Sequence, residues 1–243
     1  MKRAVFGRFG KLDYAGNEAL NTICTNLYFA GRDVRKVAFT SCSPGDGKSY
    51  VVMQVARNLA RRGKRVVVVD ADMRRSYLIS KYRIQTEGEW LGLAHYLAGY
   101  NSIDEVLYET NLKNLYFLPI GREVANPMRM LDSELFGQLL DALAEAADIV
   151  LVDCPPIGVV VDAAVVAKAC DGVVMVVRYN QTRRRELRDA LKQMQQTLCP
   201  VLGVVINKVT FDSLSEKKYY NRTYYSHYSD AYYRKDAQDA QED

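Results

Sequence analysis

An apolar run, Val37-Ala38-Phe39, leads directly into Ser41-Cys42-Ser43-Pro44-Gly45-Asp46-Gly47-Lys48-Ser49, and a helical pattern from Tyr50 to Ala60 leaves it. Strand, glycine-rich turn, Gly-Lys-Ser and helix, in that order, are the context of a phosphate-binding loop. Gly45 and Gly47 let backbone N–H groups face an anion without interference from a Cβ. The helix that starts near Lys48 aims its positive dipole end at the same spot. Lys48 adds a full charge for the β- and γ-phosphates, and Ser49 offers a hydroxyl to Mg²⁺. Ser43, Asp46 and Tyr50 complete the predicted nucleotide contacts. The first glycine of the usual loop pattern is replaced by Cys42, so only the Gly-Lys-Ser end of the strict motif survives.

The sequence downstream predicts a doubly wound, mostly parallel α/β sheet. Val66–Val69 and Ile149–Val152 are unbroken apolar runs, the mark of strands buried on both faces. Gly172–Val177 and Leu202–Ile206 continue the series. The first run ends in Asp70-Ala71-Asp72, where open α/β sheets hold ligands; a turn with a helix cap is the plainer reading of that pair. The second ends in Asp153-Cys154-Pro155-Pro156, an arrangement of Walker-B type. Asp70, Asp72 and Asp153 are thus expected around a metal, with Ser49. Asp162 opens the next helix, where capping is its plain role. Asn207 either reads the adenine edge or merely forms a turn. The N-terminal stretch 1–12 is basic and expected to be loose, and a helix is expected from Asp13 to Gly31. Residues 128–147 read as a helix broken near Asp132-Ser133, with Ser133 capping the second segment.

After about Phe211 the composition changes. Tyr219, Tyr220, Tyr224, Tyr225, Tyr228, Tyr232 and Tyr233 stand among polar residues with few aliphatics. Such a segment cannot bury enough surface to offset ordering, so residues 212–243 are expected to be a flexible tail and 1–211 the folded domain. A sticky or stacking tail is one use of those rings; phosphate acceptance is another. A phenol needs its proton removed to attack at neutral pH, and Asp70 or Asp72 is the candidate base. A tail enters a neighbour's site more easily than its own, so transfer between protomers is expected.

The 243 residues carry a net charge of +4, too balanced to imply nucleic acid. Five cysteines without a Cys-x-x-Cys pair argue for a reducing compartment and against a zinc site. No apolar run approaches the ~18 residues of a membrane span, so a cytoplasmic chain is expected.

Ser41–Ser49, Val66–Arg74 and Ile149–Pro156, followed by the terminal tyrosines, resemble the Walker A, A′ and B motifs of the bacterial tyrosine autokinases. Asn126-Pro127, Pro155-Pro156-Ile157-Gly158 and Asn207-Lys208 extend the likeness over nearly the whole chain. It is closest to the form in which the kinase is a separate polypeptide of capsule or exopolysaccharide synthesis. The resemblance implies ATP and Mg²⁺ as cofactors, with Lys48 on the phosphates. Ser49, Asp72 and Asp153 would stand around the metal, and Asp70 would be base or metal neighbour. It further implies autophosphorylation of the tail, a membrane-bound co-polymerase that activates the kinase from the inner face of the membrane, a counteracting tyrosine phosphatase, and a ring of protomers. The ring is weakened here, because the family's oligomerisation helix carries arginines where this chain has Asn21 and Cys24. Two other readings share the loop and sheet: a regulatory ATPase of the MinD/ParA kind, and a nucleotide-sensing scaffold without kinase activity. The former usually carries a second lysine early in the loop, where this chain has Cys42-Ser43.

Overall fold

The computed structural model describes residues 1–31 and 33–210; the seven tail tyrosines and the expected boundary at 211 lie outside the described residues. In chain order the elements are β1 (Lys2–Phe6), α1 (Tyr14–Phe29), β2 (Lys36–Ser41), α2 (Lys48–Arg61), β3 (Val66–Asp70), α3 (Leu78–Tyr82), β4 (Ile84–Thr86), α4 (Leu93–Leu97) and α5 (Ile103–Val106). They continue with β5 (Tyr108–Thr110), β6 (Leu115–Leu118), α6 (Pro127–Leu131), α7 (Glu134–Ala146), β7 (Ile149–Asp153), α8 (Asp162–Ala167), β8 (Gly172–Arg178), α9 (Arg184–Gln195) and β9 (Val201–Asn207).

Among the described residues the strands form one sheet in the order β4-β1-β5-β6-β3-β7-β2-β8-β9. The run from β6 to β9 is parallel throughout, as the apolar strands predict. Alternate side chains of these strands enter two different cores. Val67, Val69, Val150 and Val152 face one, with α7, α8 and α9. Val66, Val68, Leu151, Val37 and Phe39 face the other, with α1 and α2. Period-two alternation between two helical layers is why both faces of each strand are apolar.

The beginning of the chain departs from expectation. Lys2–Phe6 is not loose: it is a strand between β4 and β5, with Ala4 and Phe6 buried and the intervening residues facing outward. Asn111 fixes its end, accepting from the Phe6 N–H at 2.9 Å and donating to the Phe6 carbonyl at 3.2 Å. A five-residue strand with basic outer positions shows its pairing only when its partner, over a hundred residues away, is known.

Helix ends follow the sequence more closely. Asp13 caps α1 by accepting from the Gly16 N–H at 2.8 Å. Ser133 caps α7 through the Phe136 N–H at 3.3 Å, which places the break between α6 and α7 as read. On α1, Cys24 is buried, and Asn21 accepts from Asn58 of α2 at 3.2 Å and from Arg62, the C-cap of α2, at 2.7 Å. Both positions thus serve packing within this chain.

All five cysteines are free thiols. Cys24 lies in the core of α1 and α2; Cys42, Cys154 and Cys199 lie in the other, with half-buried Cys170 against it. Burial lifts each thiol pKa above its ordinary value, to about 11 for Cys24, Cys42 and Cys199. Among the described residues no helix is long and apolar enough to cross a membrane.

Candidate active site

The phosphate loop joins the carboxyl end of β2 to the first turn of α2. Gly45 and Gly47 hold φ values of +86° and +96°, which a side chain would strain. Gly47 is the N-cap of α2, and its carbonyl accepts from the N–H groups of Tyr50 at 3.1 Å and Val51 at 3.0 Å. Asp46 folds the loop on itself, accepting from the Ser43 N–H at 2.9 Å. Burial pushes the Asp46 pKa up, against the pull of that bond.

The carboxylates arrive from the neighbouring strands. β3 and β7 are parallel and in register, so Asp70 and Asp153 are direct partners on the last rung of the pair. Asp72 follows two residues on. The Lys48 ammonium stands between Asp72, at 3.0 Å, and Asp153, at 3.2 Å, and also donates to the Ser49 hydroxyl at 3.3 Å. Burial works against the charged ammonium, but Asp153 and Asp72 outweigh it and hold the Lys48 pKa above its usual range. Asp153 is fully buried; burial raises its pKa, and Lys48 and the Ser49 hydroxyl oppose that rise.

Asp70 is set apart from this ammonium. It accepts from the Ser76 hydroxyl in a short bond and from the Asp72 N–H at 3.3 Å. Burial first, and then the Asp153 charge, push its pKa up to about 8. A carboxyl titrating there exchanges its proton close to neutrality rather than in acid. Among the described residues no group of three or more His, Cys, Asp or Glu has the geometry to hold a metal. Where the sequence grouped three carboxylates around a cation, the structure puts an ammonium between two of them and a serine on the third. Still, every donor here is a hard oxygen, and Mg²⁺ needs only one or two protein oxygens beside phosphates and water. The residues therefore fit that ion.

The loop, Lys48 and Asp72 line a cavity of about 660 Å³, whereas Asp70 and Asp153 are buried beside them. One wall is Arg74, Arg75, Tyr77 and Lys81; the other is Pro155, Pro156, Val159 and Val160. Asn207 lies against the loop, its amide donating to the Asp46 carbonyl at 2.9 Å.

Three features of the site had no signal in the sequence. Ser76 engages Asp70. Arg74 and buried Asp162 form a bidentate ion pair across 88 positions, so Asp162 does more than open α8. Gly158 packs where a Cβ would lie 2.2 Å from the Cys42 carbonyl oxygen. Gly158→Ala is therefore expected to displace the start of the phosphate loop and cost about 1–3 kcal/mol, as overpacking does. Thermal melting and nucleotide titration check this; an unchanged melting temperature and affinity would count against it.

Residues 34–202 match the AAA-domain family AAA_31. The chain is 35% identical over 192 residues to the tyrosine-protein kinase CpsD of Streptococcus agalactiae, covering 79% of this chain and 83% of that protein. The chain belongs to the bacterial tyrosine-protein kinases. A solved member of these kinases, the kinase domain of Escherichia coli ETK, superposes with a TM-score of 0.77 at 25% identity, covering 85% of this chain and 84% of that one. The septum site-determining protein MinD of Pyrococcus horikoshii, solved with Mg-ADP, superposes at 0.61 and 21% identity over 71% of this chain and 69% of its own; that likeness speaks to the fold alone. The tyrosine-protein kinase assignment makes the chain an enzyme built on a P-loop sheet, as the motif pattern implied.

Proposed function

We propose that the chain is an ATP-dependent tyrosine autokinase that phosphorylates its own C-terminal tyrosines, Tyr219 to Tyr233, from one protomer to another. The observation that carries this is that Lys48 and Asp72, which line the loop cavity, meet buried Asp153, beside Asp70. In this reading the loop N–H groups and Lys48 hold the triphosphate, and Lys48 leaves its carboxylate partners in part to do so. Ser49 and Asp153, with Asp70 and Asp72 nearby, would hold Mg²⁺, which offsets phosphate charge when bound with the nucleotide. A tail phenol oxygen forms the new bond to the γ-phosphorus as the bond to the β-bridging oxygen breaks. ADP leaves, and the phenol proton passes to Asp70 or Asp72.

Acceptor site and direction are tested together. A full chain with all seven tail tyrosines replaced by Phe is mixed with a Lys48→Met chain whose tail is intact. With ATP and Mg²⁺, phosphotyrosine is expected on the Lys48→Met chain and at least tenfold less on the Phe chain than on wild type, read by mass spectrometry. Label confined to residues outside the tail removes the autokinase reading. Label absent from the mixture but present on wild type points to transfer within one chain.

The same reading places the kinase in capsule or exopolysaccharide synthesis, at the inner membrane face through a membrane-bound co-polymerase and opposed by a tyrosine phosphatase. A ring of protomers is part of it. With Asn21 and Cys24 packed against α2, that ring would rely on contacts other than arginine pairs from α1.

A further inference from the structure

The end of β9 holds the phosphate loop from outside, at two consecutive carbonyls. Asn207 Nδ2 donates to the Asp46 carbonyl at 2.9 Å, and Lys208 Nζ donates to the Gly45 carbonyl at 2.7 Å. The fit at Asn207 is close: a Cβ added to Gly47 would lie 2.2 Å from its Nδ2. Lys208 itself has φ +57°, a conformation that side chains seldom adopt.

These contacts have a consequence for the anion site. In a trans peptide the C=O and N–H point in opposite directions. With the Asp46 carbonyl tied to Asn207, the Gly47 N–H of the same peptide faces the other way, and Gly47 lines the cavity. At the neighbouring unit the Asp46 N–H returns to the Ser43 carbonyl at 3.4 Å, so the bond from Lys208 closes the turn that presents Gly47. A loop left untied would have to give up conformational freedom when phosphate arrives.

We infer that Asn207 and Lys208 are positioning residues, which pre-set the phosphate loop for a triphosphate whatever base it carries. The inference rests on the loop binding a nucleotide, as proposed above. It departs from a purely base-reading Asn207, because one N–H of its amide is committed to the loop.

Binding to the full-length protein separates these roles. Dissociation constants for ATP, GTP and inorganic tripolyphosphate, each with Mg²⁺, are measured by calorimetry for wild type, Asn207→Ala and Lys208→Gly. Glycine suits φ +57°, so Lys208→Gly deletes the ammonium without straining the backbone. Both variants are expected to bind all three ligands about tenfold more weakly, a loss in the range of a charge-assisted or buried hydrogen bond, with the ATP-to-GTP ratio unchanged. Lys208→Arg, which keeps a donor, is expected to recover most of the affinity. Loss of ATP preference in Asn207→Ala with unaltered tripolyphosphate binding would overturn the inference in favour of base reading. Unaltered affinities in Lys208→Gly would overturn it as well. Wild type that binds none of the three would instead refute the nucleotide reading, and this inference with it.

Discussion

Lys48→Met is expected to reduce phosphotyrosine formation at least a hundredfold. Removing one preorganised charge from a phosphoryl-transfer site costs on the order of 10²–10³ in rate. The structure adds a second effect. The ammonium holds Asp72 and Asp153 together where both are buried, at 3.0 and 3.2 Å. Methionine fills the space but leaves two carboxylates facing each other without a counter-charge. Removing one member of a buried pair costs about 3–5 kcal/mol. The variant is therefore expected to melt lower than wild type at neutral pH and to regain part of the difference on acidification, as Asp153 takes a proton. Circular dichroism melts at several pH values and phosphotyrosine blots check both halves. Persistent phosphotyrosine would remove Lys48 from the chemistry, and an unchanged melting temperature would contradict the buried triad.

Asp70→Asn is expected to move stability and activity in opposite directions. The folded chain holds the Asp70 proton up to about pH 8, whereas an exposed aspartate loses it near 3.8. Between those values the native state binds more protons than the unfolded one. Wild-type stability therefore falls as pH rises through that window. Asparagine does not titrate: its oxygen can accept from the Asp72 N–H, and its amide can donate to the Ser76 hydroxyl. Without metal or nucleotide, Asp70→Asn is expected to melt above wild type at pH 8.5. The gain should close towards pH 4. Loss of a general base costs about 10²–10⁴ in rate, so kinase activity is expected to fall by that much. A melting difference independent of pH would show that the Asp70 carboxyl is not held protonated.

The core of this fold was legible because it is written locally. Val66–Val69, Ile149–Val152 and Gly172–Val177 are long apolar runs, and each can only be a strand buried on both sides. Lys48, Asp70, Asp72 and Asp153 were legible for the same reason, since each follows its strand or loop by a fixed offset. The short strands at one side of the sheet were not. Lys2–Phe6, Ile84–Thr86 and Tyr108–Thr110 are three to five residues long, and the pairing of Lys2–Phe6 with the other two joins segments far apart in the chain. The partners of the three carboxylates were hidden for a related reason. Sequence places Asp70 and Asp153 at the same sheet edge, but not Ser76 beneath Asp70 or the Lys48 ammonium between its neighbours. Arg74 with Asp162, and Gly158 against Cys42, are likewise contacts between distant segments, and no local pattern announces them.

The buried thiols make the native chain chemically quiet. Alkylating reagents attack thiolates, and Cys24, Cys42 and Cys199 are held protonated well past neutrality. Their modification is therefore gated by opening of the chain around them. Because Cys24 sits on one side of the sheet and Cys42, Cys154 and Cys199 on the other, the order in which they become alkylated would time the loosening of each helical layer separately.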